Sequence, residues 1–553
     1  MLGLLTLLLP TGASLPGQSV LTHRASSTAL PSVRSVGIAS PAHAAPSVAI
    51  RAPRSTSRVA LELVDLAPSV LLRTGMVALR RDPGLAFAAY RALLLVSEAG
   101  SDSAFAARLG LGRAWLMIGN AAIALRYAEA LASERPTAPA PVELKVRALL
   151  RAAEFDRALA VAEAAIDRFG TDHPRLRAAH AAALFRTRHL RAAERAYREV
   201  LVEDPQNVEA LVRLGTGLVP PRAAPITRQL SNALEQERRN ELSAARRSLA
   251  EVLHEDRDHP IAMRLLGELI MSVERRESAL VADGFFDRLW QRLAPDAAGT
   301  GSARRLLPRF FPQFARLGTE RRRMLAWSVR PFVSWLDRVR RAGGRHDIVF
   351  EDERTTDAPS RAWLRGRRTF DGRVWDDVRG IGGLCAATGA EALDDARSGG
   401  FQTLVHEVAH QVHLYALPQR QRSRITLLYQ RAMREHRALD YYAESNEAEY
   451  FAQGVEAYFS YAKAVGQPVT HGHTRFELER RDPELFRFIA GLAEVDPLRG
   501  KNRVTLLELL LDAAIRVGRP ADARACLRLL PASQRSARLR RKVARAENRF
   551  ATL

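Results

Sequence analysis

The stretch from Thr403 to Tyr415, TLVHEVAHQVHLY, constrains this chain more than any other. It holds His406 and His410 four positions apart, with Glu407 directly after the first. Residues four apart lie on one face of an α-helix, about one turn from each other, so both imidazoles can reach a single ion. Leu404, Val405, Val408, Ala409, Val412 and Leu414 make the segment largely apolar, as expected of a helix inside a core. Gly399 and Gly400 before it and Pro418 after it supply its boundaries. H-E-x-x-H is the pattern of zinc-dependent peptidase helices, in which the glutamate takes a proton from an activated water.

A catalytic zinc takes three protein ligands and keeps one position open. The metzincin continuation is absent, because His413 stands where glycine is needed and Ala416 where histidine is needed. His413 reads as a supporting or structural residue. A carboxylate from a second helix is left as the source of the third ligand. In the segment 446–459, Ala448, Phe451, Val455, Tyr458 and Phe459 form an apolar stripe. Glu449 and Glu456 flank one side of it and Glu447 the other, so helical geometry alone leaves Glu447 and Glu449 both open.

The run YAESNEAEYFA, from Tyr442 to Ala452, resembles the catalytic domain of anthrax lethal factor and its bacterial relatives, which are gluzincin-type metallopeptidases. VRGIGG at 378–383, the pair Gly389 and Glu391, and PELFRFI from Pro483 to Ile489 extend the resemblance over about 345–495. The resemblance implies that His406, His410 and Glu449 bind one zinc ion (Zn2+). It also implies that Glu407 is the general base and Tyr442 the phenol that stabilises the oxyanion, with Tyr441 as the rival. One position departs from the family pattern. Gln453 stands where members commonly carry an acid able to orient a histidine ligand; an amide can still accept from an imidazole N–H, but brings no charge.

Upstream, residues 58–300 read as helical. Ala124-Leu125, Ala158-Leu159 and Ala192-Ala193 recur at a step of 34 residues, the period of tetratricopeptide-type hairpins, which the segment resembles. Small residues sit where paired helices approach, and Trp115, Tyr127, Phe155, Phe185 and Tyr197 fill the spaces. Residues 240–260 read as one more unit, out of phase. By that resemblance the array presents a concave surface to a peptide or protein partner and carries no chemistry of its own.

The expected fold is mainly α. An N-terminal α-solenoid of tetratricopeptide-like helical hairpins precedes an α+β zincin-like metallopeptidase domain at 301–495. That domain should open with a helix from Glu320 to Ala342, ended by Gly343 and Gly344, and a strand from His346 to Phe350. A loop-rich passage anchored by Trp363, Phe370 and Trp375 follows, with a hairpin turn at Asp371-Gly372. A small sheet is expected beside the metal helix, its edge strand open to extended substrate. Residues 496–553 read as a helical hairpin around Gly518 and Pro520.

The N-terminal run MLGLLTLLLP is far too short to span a bilayer. It has the length of a signal peptide's apolar region but lacks basic residues before it, so export and a cytoplasmic location both stay open. The rest of 1–57 is rich in Ser, Pro and Ala and reads as disordered. No later stretch is apolar for long enough to form a transmembrane segment. The net charge of +22 is carried almost wholly by arginine, since Lys145, Lys463, Lys501 and Lys542 are the only lysines. Such a bias reads first as that of a GC-rich genome. The arginines are scattered along helices without interleaved aromatics, so nucleic acid is not expected as a partner. Cys385 and Cys526 make neither a disulfide framework nor a metal site.

The function expected is a zinc-dependent endopeptidase acting on a protein or peptide substrate, with the helical repeats binding that substrate or a partner protein. The alternative is a repeat-based interaction scaffold whose metallopeptidase domain is weak or inactive.

Overall fold

The computed structural model describes residues 63–550 except 219–223, 277–279, 281–282, 294–301, 370–371, 497, 499 and 501. The signal-like run, the Ser/Pro/Ala-rich stretch, Phe370 and Asp371 lie outside the described residues. Among the described residues the chain is mainly helical, with one small three-stranded sheet.

The N-terminal part consists of helices that pack in sequence. Asp102–Met117 lies against Ala121–Glu134, Pro139–Arg151 against Phe155–Phe169, and Pro174–Arg186 against Leu190–Glu203. The turn inside each pair contains one residue with left-handed backbone: Gly119 (φ +96°), Ala153 (φ +61°) and Arg188 (φ +68°). The turns therefore recur at nearly the step seen in the sequence. Ala124, Ala158 and Ala193 are fully buried, and Trp115, Tyr127, Phe185 and Tyr197 are buried with them. Residues 240–260 carry the second helix of a further pair, Arg228–Arg238 with Leu242–Glu255, and reach the start of Pro260–Arg276.

Downstream, β1 (Arg345–Val349), β2 (Gly380–Ile381) and β3 (Cys385–Gly389) form a sheet of order β1-β3-β2. β1 runs parallel to β3, and β2 antiparallel to it. The helix expected from Glu320 to Ala342 is broken. Thr319–Val329 and Val333–Arg341 are separated by a 3₁₀ turn at Arg330–Phe332, because Pro331 has no N–H with which to continue the α-helical ladder. Gly372 (φ +90°) turns the chain beside an antiparallel bridge between Arg368 and Val374. The C-terminal segment holds three helices where two were expected: Arg503–Arg516, Pro520–Leu529 and Ala537–Arg549. The second break follows Pro531, after which Ser536 caps the last helix by accepting from the Leu539 N–H.

One apolar core joins the H-E-x-x-H helix (Leu404, Val405, Val408), the helix Glu447–Phe459 (Phe451, Val455, Tyr458) and the C-terminal helices (Leu506, Leu507, Leu510). Phe285, Phe286 and Leu289 pack into this core as well, although they fall within the 58–300 segment. Separate cores fill the N-terminal helices. Phe550 enters one of them, edge-on to Phe87 at 5.5 Å and to Trp115 at 6.5 Å, so the end of the described chain closes onto its beginning. No helix among the described residues is long and apolar enough to cross a membrane.

Candidate metal centre

The H-E-x-x-H helix, Thr403–Gln411, is buried along its whole length. Buried polar groups must be paired, and those at its two ends fix its position. At the start, the Gln402 backbone N–H donates to Glu456 Oε1 (2.9 Å), and the Gln402 amide donates to the Phe459 carbonyl (2.9 Å) and Ser460 Oγ (3.1 Å). Lys463, fully buried, pairs with Glu456 and donates to the Gly400 carbonyl (3.0 Å). Gly399 suits this anchor, since its φ is +77° and a Cβ would overlap the edge of the Phe286 ring.

At the other end, Gln411 Nε2 donates to the carbonyls of Arg345 (2.9 Å) and Leu384 (3.1 Å), next to the sheet. Its Oε1 meets His346 Nδ1 at 2.9 Å, and His346 Nε2 meets Thr388 Oγ1 at 2.9 Å. Burial pushes the His346 imidazole down to about 4, so it sits in this network uncharged.

The third donor comes from the helix Glu447–Phe459. Asn446 caps it, its Oδ1 accepting from the N–H groups of Ala448 and Glu449 at 3.0 Å each. From Ala448 to Phe459 every residue is buried, and Glu449 faces the two histidines. Glu449 Oε2 lies 3.2 Å from His406 Nε2 and 3.4 Å from His410 Nε2, while the two Nε2 atoms are 3.1 Å apart. Glu447, the geometric alternative, is only partly buried and stands outside the cluster. This buried group of His406, His410 and Glu449 is able to hold a metal ion.

The charges agree with that reading. Burial drives the His410 imidazole down, toward the neutral form that ligates metals. Burial would raise the Glu449 carboxyl, but His410 and His406 facing it hold it down at about 2. Glu407 has both carboxylate oxygens buried and without a hydrogen-bond partner. Burial, and then the charge of Glu449, push its carboxyl well above the usual range, an effect that a cation among the three donors would oppose.

Tyr442 is buried, and its hydroxyl donates to Glu449 Oε1 at 3.4 Å. The turn that carries it is made by Asp440, whose Oδ1 accepts from the N–H groups of Tyr442 and Ala443 at 2.8 Å each. Tyr441 leaves the opposite side of this turn and packs edge-on to Phe155 at 5.4 Å. His413 lies in the π-helical turn Val412–Ala416, its ring 5.3 Å from Phe451 and outside the cluster.

Gln453, although an amide could accept from an imidazole N–H, does not accept from either histidine ligand candidate. Its amide donates to Asp440 Oδ2 (3.1 Å) and the Thr470 carbonyl (2.9 Å), drawn there by the Asp440 carboxylate. The Nδ1 atoms of His406 and His410 are buried with no hydrogen-bond partner among the described residues. His473 Nε2 also donates to Asp440 Oδ2, at 2.8 Å.

Gln402, Gln411, Asp440, Lys463 and His473 also hold the site in place, and no catalytic motif marks them in the sequence. One signal was available. In a chain with four lysines, Lys463 follows an apolar helix whose Glu456 lies seven residues earlier, a pairing that suits a buried ion pair.

Comparison with known proteins gave no match: no family model matches the chain, and no curated protein and no solved structure matches it.

Proposed function

We propose that the chain is a zinc-dependent endopeptidase acting on protein or peptide substrates. The observation that carries this reading is the spacing of the three donors at 3.1, 3.2 and 3.4 Å. Tetrahedral zinc with ligand bonds of about 2.0–2.1 Å separates its donors by about 3.3 Å. Glu449 Oε2 is buried against the two imidazole nitrogens without a well-aligned hydrogen bond to either, an arrangement that a cation among the three would stabilise. Two imidazoles and one carboxylate suit zinc better than calcium or magnesium, which prefer all-oxygen sites. The resemblance of the Tyr442–Ala452 run to anthrax lethal factor points the same way and makes the C-terminal half a zincin-like domain.

A zinc ion held by His406, His410 and Glu449 would supply a Lewis acid that polarises the substrate carbonyl and acidifies water. Glu407, its oxygens unpartnered beside the cluster, takes the proton of the attacking water as the new C–O bond forms. It returns that proton to the leaving nitrogen as the C–N bond breaks. The Tyr442 hydroxyl donates to the carbonyl oxygen as negative charge builds on it. The N-terminal hairpins, read as a tetratricopeptide-like solenoid, would present substrate or a partner protein on the faces that the C-terminal half does not cover.

A second reading has its own support in the unpartnered Nδ1 atoms and the engagement of Gln453 elsewhere. It makes the chain an interaction scaffold with a weak or inactive metal domain. The deciding experiment measures zinc content and cleavage of a mixed peptide library by wild type and Glu407→Gln. About one zinc per chain in both, with cleavage by wild type alone, is the expected result. Zinc without cleavage favours the second reading, and absence of zinc rejects the peptidase and leaves the helical array as the functional part.

A further inference from the structure

Tyr441 and Tyr442 are consecutive, yet they serve two different parts of the molecule. The Tyr442 hydroxyl reaches Glu449 in the metal centre, whereas the Tyr441 ring leaves the turn toward the N-terminal hairpins. There it meets Phe155 edge-on at 5.4 Å, with an interplanar angle of 87°. The Arg186 guanidinium lies over both rings, 4.5 Å from the centre of Phe155 and 4.9 Å from that of Tyr441. Phe155 and Arg186 come from neighbouring hairpins, the first at the start of Phe155–Phe169 and the second at the end of Pro174–Arg186.

The same edge of the array reaches the other side of the Asp440 turn. Arg151 Nη1 donates to the Gln467 carbonyl at 2.9 Å. From that loop, the Thr470 carbonyl accepts from Gln453 and His473 donates to Asp440. The turn that aims Tyr442 is thus gripped from two directions by contacts that originate in the hairpins.

We propose that Phe155 and Arg186 are positioning residues for Tyr442: by clamping Tyr441 they set where the neighbouring phenol stands relative to the metal donors. The proposal rests on the peptidase reading for its catalytic consequence, but the clamp itself is a statement about geometry. One peptide unit links the two tyrosines, so a shift of the Tyr441 backbone is transmitted to Tyr442 with little loss. The hairpins then act inside the catalytic site as well as outside it, and a ligand that altered the contact between these two hairpins would alter catalysis.

The test uses the full chain with Phe155→Ala and Arg186→Ala combined; both side chains are partly exposed, so their truncation leaves the cores intact. Zinc content is expected to stay the same, KM to change by less than about twofold, and kcat to fall about tenfold. In a Tyr442→Phe background the same pair should cost nothing further, and Arg186→Lys, which keeps a cation over the rings, should retain most of kcat. An unchanged kcat, or an equal loss in both backgrounds, would overturn the proposal.

A second readout needs no activity. With 3-fluorotyrosine incorporated, the ¹⁹F resonance assigned by its loss in Tyr442→Phe should shift or broaden in the double variant. An unmoved resonance rejects the clamp even if the wild type cleaves peptides well. A shifted resonance in a protein that cleaves nothing keeps the clamp and rejects the peptidase reading.

Discussion

The N-terminal hairpins and the half that carries the candidate metal centre fill their interiors in different ways. In the hairpins the fully buried positions are mostly Ala, Leu and aromatic residues, and most ion pairs lie nearer the surface, as that of Arg108 with Glu134 does. In the other half the interior contains His346, Asp347, Arg361, His406, Glu407, His410, Glu449, Glu456 and Lys463. A buried charge is tolerated only where a partner stands ready, so this half depends on many such pairs, whereas the hairpins hold few, such as Glu143 with Arg113 and Arg177 with Glu203. Its stability and its chemistry therefore rest on the same side chains.

That contrast can be broken most forcefully at the metal donors. Glu449→Gln should weaken zinc binding by more than about 100-fold and abolish cleavage. Wild type should lose about 4 kcal/mol of stability when a chelator removes zinc from a thousandfold excess over Kd, and the variant almost none. Hydrogen exchange, compared between peptides from Thr403–Phe459 and from Pro139–Glu203, should show the loss in the first region and little change in the second.

The buried ion pair comes next. Lys463→Met removes one partner and leaves the Glu456 carboxylate uncompensated, which should cost about 3–5 kcal/mol in urea unfolding. Restoring neutrality with Glu456→Gln in the same chain should recover part of that loss. If the single variant is neutral, the pair does not hold the start of the metal helix as described.

A smaller effect is written in pH. Burial would lower the His473 imidazole, but Glu477 and Asp440 outweigh it and raise it to about 9. A raised folded value stabilises fully below the unfolded value of about 6.5 and fades as pH climbs through about 9. Wild type should lose at most about 3 kcal/mol between pH 6.5 and 9.5 from this group, and His473→Gln should lack that slope. Urea midpoints across the window decide it. The smallest change belongs to the hairpins: Arg108→Ala breaks its ion pair with Glu134 and should cost less than about 1 kcal/mol, shrinking further in salt. A larger cost would mean that the two regions differ less than their interiors suggest.

Much was legible in the sequence where the signal is local. The spacing of His406 and His410 specified a helix with both rings on one face. The recurrence of Ala124, Ala158 and Ala192 specified helices close-packed through small residues, because such contacts lie within a few dozen positions of one another. Pro331 carried the helix break in plain view, and the apolar residues around it masked it.

What needed the tertiary structure was every choice between neighbours. Helical geometry left Glu447 and Glu449 equal until the second helix was docked against the first and turned only Glu449 toward the histidines. Tyr441 and Tyr442 share one turn, and only the hairpins packed against it show which ring they take. Gln453 is adjacent to the site in sequence, yet Asp440 and Thr470 claim its amide. The physical reason is common to all three. Spacing along the chain fixes what shares a face, but a buried polar group takes the partner that long-range packing brings within about 3 Å.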